Sequence, residues 1–139
     1  MSLNKDLIYK FAHITSKAAI ATYKYIGKKD KIIADKAAVD TMRNELNKLD
    51  MDGTVVIGEG ELDKAPMLYI GEKLGTGRDL QLDIAVDPLE GTNFVANNLP
   101  GGLSVIAIAE KDNLFNSPET YMEKLASGND VPSGLLDLD

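Results

Sequence analysis

The chain contains no cysteine, no tryptophan and a single histidine, His13. Without cysteine there is no disulfide framework, no thiolate zinc site and no cysteine nucleophile. One histidine excludes a histidine-cluster metal site and argues against a Ser-His-Asp triad. Aromatic residues make up only 6% of the 139-residue sequence. No apolar run approaches the roughly 20 residues that a membrane-spanning helix requires. The segment Met1 to Asp6 lacks the apolar core of a signal peptide, so a cytoplasmic protein with no membrane partner is expected. Positive charge is scarce as well: 15 Lys and Arg stand against 22 Asp and Glu, a formal charge of −7. That balance argues against nucleic acid as a partner, because a nucleic-acid groove depends on clustered Lys and Arg. An anionic ligand would have to be attracted by local devices: bound cations, helix N-termini or a few placed basic residues.

What is present describes one soluble core, with 44% hydrophobic and 27% charged residues. Leu3, Leu7, Phe11, Ile14, Ala18, Ala21, Thr22 and Tyr25 recur at helical spacing and predict a helix over 3–26, stopped by Gly27. His13 lies within it and reads as a packed or solvated side chain rather than a ligand. A charged connector, Lys28 to Lys31, leads to a second helical pattern over 33–49, with Ala37, Ala38, Met42, Leu46 and Leu49 on its apolar side. Asp50-Met51-Asp52-Gly53 reads as a turn. Its acids invite a calcium-loop reading, but the sixth position of that loop is Val55, not the required glycine.

Thr54 to Ile57 is a short β-branched strand ending at Gly58-Glu59-Gly60-Glu61. Residues 66–74 form either a short helix or an extended piece. Gly75-x-Gly77 is a turn, too short for a dinucleotide or phosphate-loop fingerprint. Leu80 to Val86 alternates as a strand and runs into Asp87-Pro88. Gly91 to Asn98 is expected to be a short helix, and Leu103 to Ala109 has the strongest signature of a buried strand. Residues 117–126 look helical, opened by Ser117-Pro118-Glu119. Residues 127–134 are linker-like, and Leu135 to Asp139 begin what reads as another strand. The expected organisation is a domain over 1–126, with 127–139 as linker and the start of a second half, as in a piece of a longer protein.

The acids fall at informative places. Glu59 follows one strand and lies between Gly58 and Gly60, while Asp87 follows another in Asp87-Pro88-Leu89-Glu90-Gly91-Thr92. Carboxylates at the C-terminal ends of strands sit on a sheet rim, where neighbouring glycines allow other groups to approach. With Asp35, in the segment between the helices, they offer hard oxygen donors and no soft ones, a set suited to Mg²⁺ or Mn²⁺. Pro88 can turn Asp87 and Glu90 toward one point, and Thr92 with the amides after it can open a helix toward a phosphate. On spacing alone an alternative stands beside this: Asp87 and Glu90 merely favour the helix dipole, by about 0.3–1 kcal/mol.

Three ordered blocks carry a resemblance. Val56-Ile57-Gly58-Glu59-Gly60-Glu61, then Ala65-Pro66-Met67-Leu68-Tyr69-Ile70-Gly71-Glu72-Lys73, then Asp83-Ile84-Ala85-Val86-Asp87-Pro88-Leu89-Glu90-Gly91-Thr92-Asn93 resemble the class II, GlpX-type fructose-1,6-bisphosphatases. The likeness runs on through Tyr121-Met122-Glu123-Lys124-Leu125. The last block is also similar to the Asp-Pro-x-Asp-Gly-Thr signature of the wider lithium-sensitive, metal-dependent sugar and inositol phosphatases. Gly101-Gly102 departs from the family, where a small polar residue is expected beside Ala or Ser.

The resemblance implies an α/β (α+β) protein, the N-terminal portion of a layered α-β-α-β-α fold whose members are more than twice this long. It implies two divalent ions, Mn²⁺ or Mg²⁺, held by Asp35, Glu59, Asp87 and Glu90. It implies catalytic roles for Thr92, Asp87 and Glu59, with Thr92 orienting the attacking water. Glu90, Gly91, Thr92 and Tyr121 would contact substrate, and Asp63 would lie near the site. The implied reaction is metal-assisted hydrolysis of the 1-phosphate of fructose 1,6-bisphosphate. Alternatives are a non-catalytic module that keeps the metal motifs, or a phosphatase of another sugar or inositol phosphate. Half of a shared sheet would expose an edge strand and an apolar face, so a homo-oligomer, or association through that surface, is expected.

Overall fold

Phe11, Ile14, Ala18 and Thr22 recur every three or four residues and form the buried stripe of helix α1, Lys5–Thr22. A 3-10 turn, Tyr23–Tyr25, ends just before the predicted stop at Gly27. Helix α2 runs Lys31–Leu46. It starts earlier than its apolar pattern because Asp30 caps it: the backbone there is extended, and the carboxylate accepts the Ile33 N–H at 3.1 Å. It also ends earlier, with residues 47–49 forming a turn. Ala18, Ala34 and Ala38 are fully buried, and such small side chains let the two packed helices lie close.

The computed structural model describes residues 5–59, 67–78, 80–115, 123, 125–132 and 134–136. Its strands are β1 (Met51–Ile57), β2 (Lys73–Leu74), β3 (Leu80–Glu90) and β4 (Leu103–Glu110), with a short helix α3 (Thr92–Ala96) between the last two. They form one sheet in the order β2-β1-β3-β4, in which β1 and β3 are parallel and the flanking pairs antiparallel. Met51, Val55, Leu82, Ile84 and Val86 face Phe11, Ile14, Val39, Met42 and Leu46 in the core. The mixed α+β reading holds, with one helical layer against one face of a mixed sheet.

Four local expectations change. The predicted turn at 50–53 is mostly strand, since β1 begins at Met51. Gly53 serves close approach there: a Cβ would lie 2.6 Å from Ile84 Cδ1. Of the 66–74 segment, residue 66 lies outside the described residues and 67–74 is strand only at Lys73–Leu74. Strand β3 passes through Pro88 to Glu90 instead of ending at Val86. Strand β4 is not buried: among the described residues it is the sheet edge, and Leu103 and Val105 are 59% and 44% exposed. Its apolar composition alone cannot report how many layers cover it.

Of the predicted helix over 117–126, residues 117–122 and 124 lie outside the described residues, while Glu123, Leu125 and Ala126 carry no regular structure. Gly134 to Leu136 are not strand, and 137–139 lie outside the described residues. Among the described residues, no helix is long and apolar enough to cross a membrane.

Candidate metal and phosphate site

Parallel pairing of β1 with β3 brings the C-terminal ends of both strands to one rim of the sheet. Glu59 leaves β1 there, and Asp87 and Glu90 lie on the last residues of β3. In a regular strand Asp87 and Glu90 would face opposite sides, because side chains alternate. A bulge changes this. Asp87 pairs with Val105 and Glu90 with Leu103, so Pro88 and Leu89 together stand opposite Ser104 alone. One extra residue resets the alternation, and both acids can turn to the same side. Proline, with no N–H to give a ladder, suits that position.

Asp87 is the centre of the resulting group. Its carboxyl contacts those of Glu90 and Glu59, and its Oδ1 accepts the Leu89 N–H at 3.1 Å. Burial pushes its pKa up to about 6, and the adjacent Glu90 carboxylate adds to the rise. The Leu89 N–H and Glu59 act in the opposite direction.

Asp35 approaches from α2, one turn inside the helix and within the helical pattern expected over 33–49. With Glu59, Thr92, Lys31, Ile32 and Met67 it lines a cavity of about 320 Å³. Its Oδ1 is buried with no hydrogen-bond partner among the described residues, and burial raises its pKa. A buried carboxylate oxygen with no donor is costly. A divalent cation would relieve both that oxygen and the crowding around Asp87, so this all-oxygen donor set fits Mg²⁺ or Mn²⁺ chemically. Among the described residues, however, no three acids or histidines already converge as a ready cage. Glu59, Asp87 and Glu90 are strung through Asp87, and ion binding would have to draw them together.

Gly91 takes the left-handed conformation (φ 77°) that turns the chain from β3 into α3 and presents Thr92. Helix α3 has five residues, shorter than the 91–98 expected, so its dipole is small and the anion-attracting share of the amides shrinks with it. Tyr121 and Asp63 lie outside the described residues. Lys31 and Met67 line the cavity without having been singled out by the sequence, Lys31 because it reads as part of a solvated connector. A larger groove, about 780 Å³ along Ile20, Tyr23 and Ala37, has Asp40 as its single acid and none of this chemistry.

The chain matches the family described as bacterial fructose-1,6-bisphosphatase, glpX-encoded, over residues 5–139. It belongs to that family. It is 50% identical to fructose-1,6-bisphosphatase 1 class 2 of Escherichia coli over 136 residues, covering 98% of this chain and 40% of the relative. The class 2 fructose-1,6-bisphosphatase of Haemophilus influenzae is 46% identical with the same coverage of both chains. A D-fructose 1,6-bisphosphatase class 2/sedoheptulose 1,7-bisphosphatase of Prochlorococcus marinus is 49% identical over 125 residues, 90% of this chain and 38% of the relative. The chain thus spans about 40% of the length of the curated relatives it matches.

Proposed function

We propose that residues 1–126 are the metal- and phosphate-binding portion of a class 2 fructose-1,6-bisphosphatase, and that 127–139 lead into the remainder of such an enzyme. The reaction is hydrolysis of the 1-phosphate of fructose 1,6-bisphosphate to fructose 6-phosphate and phosphate in the cytoplasm. The observation that carries this reading is the carboxyl group of Asp87, held beside that of Glu90 by the β3 bulge and beside that of Glu59 by the parallel pairing of β1 with β3. Asp35, Glu59, Asp87 and Glu90 would hold two divalent cations, Mg²⁺ or Mn²⁺, which when bound supply Lewis-acid polarisation of the phosphate and neutralise its charge.

The chain's own residues divide the remaining work. Thr92, on the same cavity as Asp35 and Glu59, offers a hydroxyl that can orient the hydrolytic water. Water oxygen bonds to phosphorus, the bond from phosphorus to the sugar oxygen breaks, and that oxygen takes a proton. Glu90, Gly91 and Thr92 flank the phosphate, and Tyr121 contacts the sugar by the family resemblance. Lys31 adds a positive charge to an otherwise acidic cavity, and Ile32 and Met67 give it apolar walls. Association of copies through the open β4 edge belongs to the same proposal.

A second reading widens the substrate. The Prochlorococcus relative carries both activities in its name, so sedoheptulose 1,7-bisphosphate is a second candidate. Phosphate release from each bisphosphate by the purified chain, with Mn²⁺ or Mg²⁺ against chelator, tests both. Metal-dependent release that disappears in Asp87→Asn supports an active site in this portion alone. No release, with Mn²⁺ binding that still depends on Asp87, favours the non-catalytic module. Absence of both overturns the site.

A further inference from the structure

Arg43 lies two turns along α2 from Asp35 and points to the segment that leads into β2. Its Nε donates to Glu72 Oε1 at 2.6 Å and its Nη2 to Glu72 Oε2 at 3.1 Å, a two-pronged pair. Nη2 also donates to the Met67 carbonyl. One guanidinium therefore grips residues 67 and 72, the two ends of a single short segment. The pair is well covered, with side chains 23% and 11% exposed.

That segment in turn holds the site. The Leu68 carbonyl accepts the Glu59 N–H at 2.9 Å, and Leu68 itself is fully buried. The Gly71 N–H donates to Val55 at 2.8 Å and the Val55 N–H to Glu72 at 3.0 Å, which locks the segment along β1. Gly58 packs so closely that a Cβ would fall 2.3 Å from the Leu68 oxygen. Met67 is also a wall of the cavity that Asp35 and Glu59 share.

We propose that Arg43, through Glu72 and the 67–72 segment, is a positioning residue for Glu59 and so sets the metal affinity of the site. The proposal rests on Glu59 being one of the metal-binding acids. Arg43 acts from behind Glu59, by fixing the segment against which the Glu59 backbone is held. The arrangement needs a planar fork that spans both Glu72 oxygens and the Met67 carbonyl, a geometry that the compact ammonium of lysine does not have, so the conservative exchange should not be silent. Residues that orient a metal ligand from behind commonly change affinity by about 10–100-fold when altered.

The test is Mn²⁺ titration of the whole chain by calorimetry, well below the melting temperature, in wild type, Arg43→Lys and Glu72→Gln. Amide hydrogen exchange is followed alongside. Val39→Ala, a fully buried position on the same helix, is the control for simple destabilisation. The expected result is about tenfold weaker Mn²⁺ binding in both clamp variants. Faster exchange of the Glu59 amide should accompany it, with the Ile84 amide as protected as before and Val39→Ala binding Mn²⁺ normally. Wild-type affinity and unchanged Glu59 exchange in Arg43→Lys and Glu72→Gln would overturn the positioning role while leaving the metal site standing. Equal weakening in Val39→Ala would reduce the clamp to ordinary stability and overturn it too. A wild-type chain that takes up no Mn²⁺ would remove the metal site itself, and this proposal with it.

Discussion

Strands β3 and β4 are hydrogen-bonded neighbours, yet their sequences and fates run opposite ways. Leu103 to Ala109 is apolar but for Ser104, whereas Leu80 to Glu90 carries Gln81, Asp83, Asp87, Pro88 and Glu90. The more polar strand is the buried one. Leu82, Ile84, Val86 and Leu89 are each 6% exposed or less, while no residue of β4 is fully buried. Position in the sheet decides this: β3 has partner strands on both sides and both α1 and α2 over one face, while β4, packed by α1, has β3 as its one partner strand among the described residues. Even Asp83 is tolerated inside, because the Asn113 and Leu114 N–H groups donate to its Oδ2 at 3.0 and 3.2 Å.

The largest test of that contrast is truncation of one apolar side chain from each strand. Ile84→Ala should cost about 2–5 kcal/mol in urea denaturation. Val105→Ala on β4 should stay under about 1 kcal/mol. Equal costs would mean that β4 is covered in solution.

Next comes Asp87→Asn, which probes what β3 gives up to carry the site. The folded-state pKa of Asp87, about 6, lies above its ordinary value of 3.8, so the folded metal-free chain binds this proton more tightly than the unfolded one. Stability of the metal-free chain should therefore fall as pH rises from about 4 to 6, within this group's share. Asp87→Asn should remove that fall and melt a few degrees higher at neutral pH, while losing its Mn²⁺-induced rise in melting temperature. A variant less stable than wild type at neutral pH without metal would contradict the burial penalty.

Smaller still is Val105→Lys. A lysine on an exposed edge strand blocks pairing with another chain, so light scattering should show reduced self-association. Stability should stay within about 0.5 kcal/mol. The smallest effect belongs to a carboxylate outside both strands. Glu45 on α2 is bonded by Lys17 and Lys48, which pull its pKa from 4.5 down to about 2. Its contribution should be complete above about pH 4.5 and vanish as pH falls toward 2. Asp87 and Glu45 thus give opposite pH slopes, and Glu45→Gln should flatten only the acid limb of a melting-temperature profile.

Much of the helical layer was legible because a helix advertises its buried face every three or four residues. Phe11, Ile14 and Ala18 did so for α1, and Ala38, Met42 and Leu46 for α2. The start of α2 was readable in principle, since Asp30 is a good cap, but the apolar pattern begins later. Gly53 misled because a turn glycine and a close-packing glycine are the same letter. The acids of the candidate site stood out at strand ends, yet nothing local announced the bulge that turns Asp87 and Glu90 together. Lys31 and Met67 were hidden because a cavity wall has no period.

The chain's composition and order determined the chemistry available: no thiol, one imidazole, and hard oxygen donors placed where strands end. They also determined the two helical stripes and the blocks by which the family is recognised. Only the tertiary structure decided that β1 and β3 run side by side, which makes Glu59 a neighbour of Asp87, and that Arg43 reaches across to hold the segment behind it. Periodicity records how a residue packs within its own element. The meeting of distant residues depends on how all the elements share one core, and that balance is written in no single stretch of sequence.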